Sequence, residues 1–238
     1  GRGEVTVPMA PAKRGKTAFC LQSAAFSAVK HGTKVLLISL EVNETIMQDR
    51  LDACLASIEM NDLVDQRDQV DAEIAKLAKG PGRIFVEARP ANSFSTDQVD
   101  SLIESYINDG VALDLVVVDY IGILRLSTPD DRFVGLGTAT KELRRIAGKY
   151  NIAILAPAQT NRDALAKSIA GMDSIGESFQ VVQDCDLLLS INADAQMLAA
   201  GVRLINFAAS RNQAEVTFRV KGDLARMRMV ESVLSVEH

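Results

Sequence analysis

The sequence predicts an α/β fold, with a largely parallel central sheet flanked by helices and extended by short antiparallel strands near the C-terminus. Short apolar runs alternate with helix-period segments from the start of the chain to about residue 191, as in stacked βαβ units. Beyond that the pattern changes to polar–apolar alternation, the mark of half-exposed antiparallel strands. With 238 residues, 47% of them hydrophobic and 24% charged, the chain can bury one substantial core, and a single domain over residues 1–238 is expected.

In chain order, the candidate strands of the parallel part are residues 4–10, 34–39, 83–87, 114–119, 152–156 and 185–191. Between the first two, residues 17–30 are apolar on one face through Phe19, Leu21, Ala25, Phe26 and Val29, and Gly32 is a natural stop. Asn43 can cap the next helix, which carries Ile46, Leu51 and Leu55 inward. In residues 65–79, Val70, Ile74 and Leu77 recur at i, i+4 and i+7 among many charges, which predicts a surface helix. Ser95 or Thr96 should cap a helix running through Tyr106, and Thr138 should open another containing Leu143, Ile146 and Ala147. Residues 203–209, 215–221 and 225–230 alternate and read as the antiparallel strands. Residues 126–137 and 167–176, rich in Gly and turn formers, read as loops.

No apolar run approaches the roughly 18 residues of a membrane span, so a soluble chain without a membrane partner is expected. Cys20, Cys54 and Cys185 are widely spaced and form no C-x-x-C pair, which fits buried thiols of a cytosolic protein. The net charge of −5 argues against a generally basic nucleic-acid coat and leaves room for a local groove.

Four strand ends carry chemistry. Gly15-Lys16-Thr17 follows an apolar strand and opens an amphipathic helix, the context in which a phosphate-binding loop works. Backbone N–H groups of Ala12, Lys13, Arg14, Gly15 and Ala18 and the helix dipole suit an anion; Lys16 adds a point charge, and the Thr17 hydroxyl can ligate Mg²⁺. Leu115-Val116-Val117-Val118-Asp119 is an apolar strand ending in a carboxylate, for which a Mg²⁺ site gives a reason. Glu41 follows another apolar strand and can polarise an attacking water, while Gln159 can sense a γ-phosphate; either also reads as an ordinary surface residue.

These elements and their spacing resemble the RecA-like P-loop NTPase motor domain of DnaB-type replicative helicases, above all the divergent bacteriophage versions. The likeness spans nearly all of the chain. That family's phosphate loop begins with Ala, as at Ala10, and its Ser-Leu-Glu-Met element is similar to Ser39-Leu40-Glu41-Val42, with Arg50 nine residues on. Asp119-Tyr120 matches its Asp-Tyr strand ending. Ala158-Gln159-Thr160-Asn161-Arg162 resembles its Ser-Gln-Leu-Asn-Arg motif, the most discriminating match. Gly176-Glu177-Ser178-Phe179 falls where the family has a DNA-contacting loop, with Gly176 in place of Arg. Arg211 aligns with the family's arginine finger, and Ala209 replaces the Lys before it.

The resemblance implies an ATP- and Mg²⁺-dependent helicase motor that forms a ring, expected to be hexameric, on single-stranded DNA. It implies Lys16, Glu41, Gln159 and Arg211 as catalytic and Arg50 beside the nucleotide; the loop segments 125–137 and 167–177, with Arg132, Lys167, Gly176 and Glu177, are expected to project from one end of the sheet toward DNA. A primase and a helicase loader are possible partners, in a bacterial or phage-infected cytoplasm. Relatives carry an amino-terminal domain and linker helix before the motor, so a motor domain alone is expected here. A RecA-like recombinase or clock-type ATPase, and a nucleotide-binding interaction module, are the alternative readings.

Overall fold

A computed structural model of the chain describes residues 1–128, 131–160, 184–210 and 215–237, without the side chains of 132, 133 and 208–210. The first strand, β1 (Val5–Ala10), runs into helix α1 (Lys16–His31), and β2 (Lys34–Ser39) follows it. Gly32 ends α1 in the left-handed conformation at φ 66°, returning its N–H to the Ala28 and Ser27 carbonyls, as its position in the sequence predicts. Helix α2 (Glu44–Ala56) is capped by Asn43, whose side chain accepts from the Ile46 N–H at 2.9 Å. Helix α3 (Arg67–Lys79) buries only Val70, the solvated helix the charge pattern predicts. Strand β3 (Arg83–Ala88) leads to α4 (Thr96–Asn108), where Ser95 and Gln98 form a capping box. Then come β4 (Leu115–Asp119), α5 (Arg132–Tyr150), β5 (Ala153–Leu155) and β6 (Ala158–Gln159). After residue 183 the order is β7 (Leu187–Asn192), α6 (Ala195–Ala199), β8 (Val202–Ser210), β9 (Thr217–Asp223) and β10 (Arg228–Glu237).

The strands form one sheet in the order β10-β9-β8-β7-β1-β5-β4-β2-β3, with β6 also paired to β1. Every pairing from β7 to β3 is parallel, and β7 to β10 pair antiparallel. Period-2 alternation splits the core. Along β2, Leu36 and Ile38 face Val99, Ile103, Leu143 and Ile146 of α4 and α5 on one side. Val35 and Leu37 face Leu21, Ala24, Met47 and Cys54 of α1 and α2 on the other. All three cysteines are buried. Among the described residues no helix is long and apolar enough to cross a membrane.

Four expectations need correction. Helix α5 begins at Arg132, not Thr138, so much of the expected loop 126–137 is helical. The Asp131 carboxylate accepts the Val134 N–H at 3.1 Å, and Gly135 acts as a packing residue: a Cβ there would lie 2.9 Å from Leu126 Cδ1 and 3.2 Å from the Thr128 carbonyl oxygen. Ile46 is exposed, and Met47, Leu51 and Cys54 point α2 inward instead. The last strand begins at Arg228 rather than 225, because residues 224–227 form the turn between β9 and β10. The antiparallel strands are also longer than expected, β8 having nine residues and β10 ten.

Candidate nucleotide site

Parallel pairing brings the carboxyl ends of β1, β2 and β4 to one edge of the sheet, where ligands of such folds collect. Ser39 of β2 stands in register with Asp119 of β4, and the Leu40 N–H donates to the Asp119 carbonyl at 2.9 Å. The turn after β1 lifts the chain into α1 through Gly15 at φ 94°, a left-handed position that suits glycine. Among the described residues no side chain caps that helix start.

A cavity of about 430 Å³ opens over this turn, lined by Ala12, Lys13, Gly15, Lys16, Thr17 and Ala18 together with Glu41, Arg50, Gln159, Leu224 and Met227. Most of the residues singled out from sequence therefore share one cavity. Gln159 arrives on β6, whose register sets it opposite Ala10, and Arg50 arrives half-buried from α2. Arg14 is not part of the lining; its charge instead bears on Arg203 of β8. Leu224 and Met227 join the site only in the structure: Leu224 lies in the gap between the expected strands 215–221 and 225–230, and Met227 reads as part of the second. Arg132 opens α5 with its side chain undescribed, and Lys167, Gly176, Glu177 and Arg211 lie outside the described residues.

The electrostatics are those of a site built around charge. Asp119 is 2% exposed; its Oδ2 accepts from the Thr17 hydroxyl at 2.9 Å, and its Oδ1 is buried without a hydrogen-bond partner among the described residues. Burial pushes its carboxyl up to about 6, with Glu41 adding to the rise and the Thr17 hydrogen bond, Lys16 and Arg50 opposing it. The Lys16 ammonium donates to the carbonyls of Ala10 at 3.1 Å and Pro11 at 3.0 Å. Burial holds its pKa below the usual lysine value, against the pull of Asp119 and Glu41. Glu41 is exposed to the cavity. An orphaned carboxylate oxygen beside a threonine hydroxyl is a donor set that fits a hard divalent cation.

A P-loop α/β fold of the RecA type is what this sheet order and glycine-turned helix start define. Comparison with known proteins then narrows it: residues 2–222 match the family model of the DnaB-like helicase C terminal domain, and the chain belongs to that family. A probable replicative DNA helicase of Trieres chinensis is 27% identical over 190 residues, 76% of this chain and 41% of that protein. The DnaB-like replicative helicase of Enterobacteria phage T4 is 25% identical over 219 residues, 88% and 46% of the two chains. The chain thus spans less than half the length of these curated relatives. Among solved structures, an ATPase domain superposes with a TM-score of 0.83 at 18% identity, over 97% of this chain and 85% of its own. A DnaB-like replicative helicase, described with its primase interactions, gives 0.81 at 18% identity, over 96% and 57%.

Proposed function

We propose that this chain is the ATP-hydrolysing motor of a replicative DNA helicase, working as a ring, hexameric by our reading, that moves along single-stranded DNA. The observation that carries the proposal is the convergence of Lys16, Thr17 and Glu41 on one cavity, with the buried, half-partnered Asp119 hydrogen-bonded to Thr17. Lys16 binds the terminal phosphates by exchanging its carbonyl partners for phosphate oxygens. Thr17 and Asp119 would hold Mg²⁺, which neutralises phosphate charge when bound. Glu41 takes the proton of the attacking water, Gln159 reads the γ-phosphate from the end of β6, and Arg50 steadies the charge from α2.

Arg211 acts on a neighbouring subunit's nucleotide in this reading. Arg132, Lys167, Gly176 and Glu177 are assigned to DNA, and a primase and a loader are the partners expected in a bacterial or phage-infected cytoplasm.

The test is ATP turnover by the chain at defined salt, with and without single-stranded DNA. The reading expects stimulation by DNA that weakens as salt rises, because phosphate contacts dominate such binding. Turnover indifferent to DNA under conditions where a ring forms would favour a clock-type ATPase.

A further inference from the structure

Two arginines meet behind the phosphate loop, on the side away from the cavity. Ala12, Lys13, Gly15 and Lys16 line the nucleotide cavity, whereas Arg14, half-buried among them, does not. Arg203 comes to the same place from the sheet. Ser190 of β7 pairs with Met9 of β1 and Asn192 with Leu204 of β8, so β8 starts at the edge where β1 passes into the loop. We propose that Arg14 and Arg203 form a second anion site behind the phosphate loop, which takes a free phosphate-class oxyanion.

Arg203 is buried with its charge uncompensated. It is 4% exposed and stands opposite Val220 of β9, sharing the face of the sheet that packs with Ala10 and Phe19. Its Nη1 donates to the Gly201 carbonyl at 3.2 Å, an oxygen that also accepts the Gly222 N–H at 2.9 Å. Its Nε is buried without a hydrogen-bond partner among the described residues. Burial, with the like charge of Arg14 added, holds its pKa below the ordinary arginine value. A guanidinium stays protonated even so, and burying one unpaired is among the costliest placements a side chain can have.

Two neighbouring guanidiniums repel each other unless an anion lies between them. Each planar fork fits a pair of oxygens on one oxyanion, and a tetrahedral phosphate can offer a pair to both forks at once, where a carboxylate has oxygens for one. Burial sets the size of the ligand. The way to Arg203 runs beside the half-buried Arg14, which a small free ion can pass and a phosphate carried on a nucleic-acid chain cannot. Neither arginine lines the nucleotide cavity, so the site stands whether or not that cavity binds ATP.

Calorimetric titration with inorganic phosphate, at an ionic strength held constant with chloride, tests this in a Lys16→Ala background, where the phosphate loop has lost its own cation. The Lys16→Ala chain should bind phosphate at a single site, and adding either Arg203→Met or Arg14→Ala should raise the Kd about tenfold or more, the loss of one charge-assisted fork. Arg203→Met also removes the buried charge. In denaturant unfolding with chloride alone it should therefore be more stable than the unaltered chain, and added phosphate should narrow that lead. If Arg203→Met does not fold, Arg14→Ala carries the titration by itself. Absence of phosphate binding by the Lys16→Ala chain, or a phosphate Kd that neither arginine substitution changes, overturns the proposal. Dependence of single-stranded oligonucleotide binding, and not of phosphate binding, on Arg203 would make a backbone phosphate the ligand and overturn it as well.

Discussion

Replacing Asp119 with Asn should make the nucleotide-free chain more stable near neutral pH while removing the Mg²⁺-dependent stabilisation by ATP. The carboxylate is 2% exposed with one oxygen unpaired, and its pKa is raised from 3.8 to about 6. A raised carboxyl pKa means that the folded state binds the proton more tightly than the unfolded chain. Stability contributed by this group therefore falls as pH rises from about 4 to about 6, and the cost is constant above that. Two units correspond to about 3 kcal/mol at pH 8. Asn removes that cost and can still accept from the Thr17 hydroxyl, but its amide N–H₂ in the same buried place costs about 1–2 kcal/mol. The net gain is about 1–2 kcal/mol, or about 2–8 °C in Tm for a chain of this size. Thermal unfolding of both proteins between pH 4 and 8 measures it, the difference between them cancelling the other titrating groups. The variant should lead at pH 8, lose its lead by pH 4, and gain nothing from Mg²⁺ with ATP beyond what ATP alone gives. An Asp119→Asn protein less stable than its parent at pH 8 would refute the argument that this carboxylate is held at a cost.

Gly82→Ala places a Cβ 2.1 Å from the Ala28 carbonyl oxygen, so α1 must move; denaturant unfolding should show a loss of about 3 kcal/mol with little change in m. Arg211→Ala and Lys16→Ala subunits should each be nearly inactive alone and regain part of their ATPase activity when mixed in verified rings, since mixed interfaces pair an intact loop with an intact finger. Full activity of Arg211→Ala by itself would remove the finger assignment.

Much of the sheet was legible because its signals are local. Gly32 after an amphipathic helix, Asn43 and Ser95 before helices, and apolar runs ending at Asp119 and before Glu41 each state a boundary within a few residues. Where sequence reading failed, the cause was long-range. Gly135 looks like a helix breaker until Leu126 and Thr128 are seen packed against it. The turn holding Leu224 and Met227 is pinned by Gln22, 208 positions from Val230, so local pattern could not place it over the phosphate loop. Likewise Ile46 and Met47 are neighbours with equal claims on the core, and only the packing of α2 on α1 decides for Met47.

Paired measurements on Glu41→Gln and Lys16→Ala test the central claim most directly: equilibrium binding of ATP with Mg²⁺, and single-turnover hydrolysis in assembled rings on single-stranded DNA. Lys16 meets the phosphates in the ground state, so its loss should weaken binding by about 10- to 100-fold or more. Glu41 acts on the water only as the reaction proceeds, so Glu41→Gln should bind ATP within about twofold of the unaltered chain and hydrolyse it about 10²- to 10⁴-fold more slowly. Equal loss of ATP affinity in both variants, or undiminished hydrolysis by Glu41→Gln, would contradict the account.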